Sequence, residues 1–108
     1  LDPAPTSRVR VEETFGPVLT VIRVSSDEEA VAVANETPFS LGASVWSADQ
    51  ARAWRLARQV PAGYTWINSL ARVYDELPFG GVGASGFGRE HGIEALESYL
   101  EDRTFIYS

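Results

Sequence analysis

Residues 78–92, PFGGVGASGFGREHG, hold six of the nine glycines of a 108-residue chain, and this cluster limits the fold more than any other stretch. It repeats at neither the two-residue period of a strand nor the 3.6-residue period of a helix, so it is expected to be a shaped loop rather than an element. With the equally irregular residues 69–77 it makes about 24 residues without a pattern, and loops of that length inside a compact domain are functional or disordered. Phe79 and Phe87 argue against disorder, since a solvated linker has no use for apolar anchors. Glycines this dense allow positive φ and close backbone approach. Gly81 to Gly86 matches GxGxxG, but the dinucleotide fingerprint needs a buried strand before it and a helix directly after it. ELPF at 76–79 is no such strand and the glycines continue to Gly92, so a Rossmann phosphate loop is not expected.

Around that loop the chain reads as alternating strands and helices. Residues 18–24, VLTVIRV, are β-branched and almost continuously apolar, which predicts a strand buried on both faces. Ser26 with Glu29 predicts a capping box that opens a helix. Thr37-Pro38 limits it, because the residue before proline is pushed out of the helical region. Residues 43–46 predict a second strand. Ser47 with Gln50 predicts another capping box and a helix over 48–59, with Ala53, Leu56, Ala57 and Val60 as its apolar stripe. Residues 64–67 predict a third strand, Ile93, Leu96 and Leu100 a last helix, and residues 103–107 a terminal strand. The expected fold is α/β: a doubly wound parallel βαβαβ unit, a long Gly-rich loop, and a C-terminal helix and strand around a modest core. Residues 1–7, with Pro3 and Pro5, read as an extended, frayed lead-in outside the body 8–108. In open parallel sheets ligands gather beyond the carboxyl ends of the strands, and the long loop leaves from such an end at Asn68.

Composition removes whole classes of chemistry. There is no cysteine, hence no disulfide, no thiolate metal ligand and no cysteine nucleophile within these residues. All nine cations are arginine, so neither a P-loop nor a Schiff-base lysine is available. His91 is the single histidine, too little for a metal site, and with Arg89 and Glu90 beside it an ion pair holding the loop is expected instead. A net charge of −6 disfavours nucleic acid, whose binding rests on cations that neutralise phosphates. No apolar run approaches a membrane span, and no secretory leader opens the sequence. The chain starts at Leu1 and contains no methionine, as a trimmed or excerpted chain would.

Three motifs then stand in order: EETFGPV at 12–18, YTWIN at 64–68, and PFGG at 78–81 followed by SGFGRE at 85–90. Together they resemble the C-terminal segment of the catalytic domain in the aldehyde dehydrogenase superfamily, from about Arg8 to the end. The resemblance implies an NAD(P)-dependent enzyme that oxidises an aldehyde to a carboxylic acid. In it the Glu13 carboxylate would accept hydrogen bonds from the nicotinamide ribose, and Phe15 would pack against that ribose. The stretch between Asn68 and Phe79 would line the substrate tunnel, with Val73 and Phe79 facing the aldehyde. Asn68, Gly80, Gly81, Ser85, Gly86, Arg89 and Glu90 would shape the loop, Asn68 bracing the strand end. The terminal strand 103–107 would join a sheet completed by a neighbouring subunit, making a cytoplasmic homo-oligomer. The family often has lysine where this chain has Gly83. The reaction also needs a cysteine thiolate and a cofactor domain, so these residues alone are expected to be inactive and to bind NAD or NADP only weakly. Their partner would be the remainder of the enzyme. The competing reading is a free-standing, non-enzymatic α/β module that binds a protein partner.

Overall fold

The computed structural model describes residues 1–70 and 72–108. The chain divides into two compact units, Leu1–Thr37 and Pro38–Ser108.

The first unit carries a single turn, α1 (Arg8–Val11), and the helix α2 (Asp27–Ala34). Ser26 is the N-cap of α2, its hydroxyl accepting from the Glu29 N–H at 3.1 Å. The reciprocal half of the box closes one residue early, because the Glu29 carboxylate accepts from the N–H and the hydroxyl of Ser25, both at 2.7 Å. Residues 1–7 are not frayed. The Asp2 N–H donates to the Val21 carbonyl at 2.7 Å, and the Asp2 carboxylate takes the Arg23 N–H at 2.7 Å and its Nε at 2.6 Å. Residues 18–24 correct the expectation of a buried strand: they belong to no ladder, and Val21 stays 45% exposed. β-branched sequence favours the extended backbone, but a strand exists only through hydrogen bonds to a neighbour. Here the ties are to Asp2, Val9 and Gly16, none of them a strand.

The second unit is built on one strand–helix–strand crossover. β2 (Gly42–Val45) and β3 (Tyr64–Ile67) pair in parallel, Gly42 opposite Tyr64 and Val45 opposite Ile67, with α3 (Gln50–Ala57) between them in sequence. Parallel strands require such a crossover. Asp49, not Ser47, caps α3, its carboxylate accepting from the Arg52 N–H at 3.0 Å. The Ser47 hydroxyl instead accepts from the Asp49 N–H at 3.1 Å. The predicted stripe on α3 packs inward, and Ala53 (0% exposed) and Ala57 (8%) are the buried apolar residues among those described, a smaller core than expected. A second two-stranded sheet joins β1 (Phe39–Ser40) to β4 (Val82–Gly83) antiparallel. The βαβαβ unit is thus present as βαβ alone. α4 (Glu94–Glu97) is one turn with Ile93, Leu96 and Leu100 exposed, and residues 103–107 form no strand, lacking a partner as residues 18–24 do.

Candidate functional site at the end of β3

Asn68 ends β3. Its φ is +51°, a left-handed conformation that asparagine tolerates better than most residues. The Asn68 N–H completes the backbone ladder on the Val45 carbonyl at 2.9 Å. Its side chain then adds a further rung: Oδ1 accepts from the Ser47 N–H at 2.8 Å and Nδ2 donates to the Ser47 carbonyl at 2.9 Å. The carboxamide therefore imitates a peptide group and fixes the direction in which the chain leaves the sheet. Ser44 adds a tie from β2, its hydroxyl donating to the Ser69 carbonyl at 2.6 Å.

The glycine-rich stretch meets the other end of β3, at Gly63 and Tyr64. Phe79 and Glu90 exchange two backbone hydrogen bonds of 2.7 Å, and the Gly92 N–H donates to the Asp75 carbonyl at 2.8 Å. Val82 and Gly83 leave the loop as the short strand β4 on β1, and the Ser85 hydroxyl accepts from the Ser40 N–H at 2.8 Å. The loop is thus cross-tied, partly into a ladder, where pure irregularity was expected. Its path explains one glycine outside it: a methyl on Gly63 would run into the Gly80 carbonyl, so β3 begins beneath a backbone crossing that only glycine permits. The turn between Gly81 and Gly86 opens no helix, as a dinucleotide-binding loop would have to.

Phe79, Gly80, Gly81, Ser85, Arg89 and Glu90 line one cleft of about 400 Å³. Arg89 spans its floor, Nη1 donating to the carbonyls of Gly81 at 2.9 Å and Gly88 at 2.7 Å. The expected ion pairing through Arg89 and Glu90 is replaced: the guanidinium satisfies carbonyls, which a planar multiple donor does well, and His91 Nδ1 lies 3.0 Å from Asp75 Oδ1. Phe87 corrects the expectation of an apolar anchor, being fully exposed at the loop tip. Gly86 and Asn68 stand outside the cleft lining, as does Val73, which is partly exposed. Glu13 and Phe15 lie in the first unit, both exposed.

Residues that the motifs left unnoticed hold much of this site together. Trp66 donates its indole N–H to the Arg72 carbonyl at 2.7 Å. Tyr64 stacks between Trp66 (ring centroids 4.8 Å apart) and Phe79 (5.4 Å). Both sit on one face of β3 by the two-residue period, a signal available in YTWIN. Asp75 and Ser47 had no such signal, because their roles depend on a loop path that no local pattern encodes. Among the described residues no group of acids and histidine could hold a metal ion, and no helix is long and apolar enough to cross a membrane.

Comparison with known proteins gives one consistent result. A family model described as aldehyde dehydrogenase family matches residues 1–105. The chain is 40% identical to the NADP/NAD-dependent aldehyde dehydrogenase PuuC of Escherichia coli, over all of its own length and 22% of that protein. It is 47% identical to betaine aldehyde dehydrogenase of Brucella anthropi over 86% of its length and 19% of that protein. Among solved structures, PnpE from Pseudomonas sp. WBC-3 superposes with a TM-score of 0.87 at 51% identity, covering 93% of this chain and 20% of that one. Apo betaine aldehyde dehydrogenase from Staphylococcus aureus gives 0.82 at 41% identity, covering 84% and 18%. The chain spans about a fifth of the length of the relatives it matches.

Proposed function

The chain belongs to the aldehyde dehydrogenase family, and on that premise we propose that it forms the cofactor-ribose contact and part of the substrate wall of an NAD(P)-dependent enzyme oxidising an aldehyde to its acid. The observation that carries this reading is the glycine-rich loop itself, which the Phe79–Glu90 bridge and Arg89 hold in one shape over the start of β3. A wall that selects a small molecule has to be preformed in this way.

Each residue then has a task that its chemistry suits. An ionised carboxylate is acceptor-only and takes two hydroxyl donors at once, so Glu13 holds the paired hydroxyls of the nicotinamide ribose. Phe15, 94% exposed here, lays its ring against that sugar. NAD(P), when bound, supplies the hydride acceptor. Val73 and Phe79 keep water from the aldehyde, and the loop around Gly80, Gly81, Ser85 and Gly86 keeps Phe79 in place. The sequence has no cysteine, so the nucleophile belongs to the rest of the enzyme. Residues 18–24 and 103–107 take up strand pairing there, the second with a neighbouring subunit. The assembled protein is a homo-oligomer of the cytoplasm.

Glu13→Gln in the whole enzyme tests the reading. It keeps shape but replaces a charged acceptor by a neutral one, a loss of about 1.5 kcal/mol. The cofactor KM should rise about tenfold with the thermal midpoint unchanged. A fallen midpoint with unaltered cofactor kinetics would make Glu13 a structural residue and refute the assignment.

A further inference from the structure

Two residues on β3 touch both ends of the expected substrate wall. Trp66 reaches one end through its indole N–H, which donates to the carbonyl of Arg72 at 2.7 Å, the residue directly before Val73. Tyr64 reaches the other through its ring, 5.4 Å from the Phe79 centroid and tilted by 56°. The two rings lie 4.8 Å apart, a distance at which aromatic pairs attract. The geometry points to Trp66 and Tyr64 as positioning residues: one rigid aromatic pair that sets the placement of Val73 and of Phe79 and hence the width the aldehyde meets.

The pair is itself fixed from below. Gly42, opposite Tyr64 in the parallel register, leaves room for the indole: a Cβ there would stand 2.9 Å from Cζ3 and 3.3 Å from Cη2 of Trp66. The indole is thus seated over Gly42 of β2, hydrogen-bonded at one edge and tilted by 47° against the Tyr64 ring. A side chain so held has few rotamers to choose from, and its N–H satisfies the Arg72 carbonyl. Arg72 closes the arrangement on the far side, its guanidinium 4.7 Å above the Tyr74 ring. Asp75, tied to Gly92 and His91, then fixes the loop beyond Val73. Rigid aromatic side chains that hold a loop at two points transmit small errors directly, and a displacement of about 1 Å in a site costs a large factor in rate.

This inference rests on the reading of Val73 and Phe79 as the aldehyde wall, and its test separates the two. In the whole enzyme, kcat/KM is measured for propionaldehyde and benzaldehyde in Trp66→Phe, Val73→Ala and the double variant. Trp66→Phe keeps an aromatic ring but removes the N–H together with the second ring of the indole. It should change the ratio between the two aldehydes about tenfold, the range that pocket shape controls, acting on the aldehyde KM and leaving the cofactor KM unchanged. If Trp66 acts through Val73, the double variant should match Val73→Ala alone. An unchanged ratio in Trp66→Phe, or strictly additive effects, overturns the positioning role while the wall reading stands. An unchanged ratio in Val73→Ala overturns both. Should Trp66→Phe not fold, Tyr64→Leu against Tyr64→Phe decides through Phe79: only the leucine variant should shift the ratio, and equal behaviour overturns the inference.

Discussion

Residues 18–24 and residues 78–92 exchange the characters their sequences suggest. The first, VLTVIRV, has the strongest strand pattern in the chain and forms no strand. The second has the weakest pattern and is held by the Phe79–Glu90 bridge, the β1–β4 pairing and the contacts of Arg89. Propensity states what a segment does when partners are present, whereas order depends on where the partners are. The glycine-rich loop finds its partners in Leu41-proximal strand β1, in Gly63 and in its own far arm. The apolar segment is tied to Asp2 and, through the Thr20 hydroxyl, to the Val9 carbonyl, and to no strand among the described residues.

Substituting Gly63 should break the comparison most severely. Gly63→Ala places a methyl against the Gly80 carbonyl, backbone on backbone with no flexible atom to yield, and should cost about 3 kcal/mol, read by chemical denaturation. Loss of loop protection in hydrogen exchange should accompany it. Asn68→Ala comes next. It removes the two bonds to Ser47 and leaves a left-handed φ on a residue that resists it, for a loss of about 2 kcal/mol. Asn68→Asp should recover part of that loss, since it keeps one acceptor.

On the other side of the comparison, Val21→Ala should change the stability of the chain by itself by less than about 0.5 kcal/mol, as exposed substitutions do. In the whole enzyme, if residues 18–24 find strand partners there, the same change should cost about 1.5 kcal/mol or more. Equal small losses in both settings would mean that this segment stays outside any sheet. The smallest effect is on pH. The backbone N–H of Arg23, followed by its side chain, lowers the Asp2 pKa, so the clasp to Arg23 is complete above the ordinary carboxylate range and is released as pH falls through the lowered value. Resonances of Val21 and Arg23 followed by NMR should move in acid, and Asp2→Asn should abolish that movement.

How much of this was legible in the sequence follows from the range of the interaction involved. β3 and α3 could be read because their signals are local: YTWI for the strand, and Ala53 and Ala57 on one helical stripe. Caps were read to within a residue or two, Asp49 displacing Ser47 because both can cap and the nearer one to the helix prevails. α1 was missed, since RVRV alternates as a strand would. Of the residues recognised through motifs, Phe79 and Arg89 line one cleft and Asn68 stands apart from it at the end of β3. Their actual contacts were not legible: Arg89 turns to carbonyls and His91 to Asp75, because a glycine-rich path has no period from which distances could be inferred. Phe87 shows the converse, an apolar residue left fully exposed.

Amide hydrogen exchange on the chain alone and on the whole enzyme tests the account most directly. The amides of Phe79, Glu90, Gly92 and Asn68, all bonded within this chain, should be protected in both. Those of Leu19, Thr20 and Ile22 should exchange freely in the chain alone and become protected in the enzyme, where strand partners meet them. The account is contradicted if residues 18–24 exchange equally fast in both settings, or if the loop amides gain protection only in the enzyme.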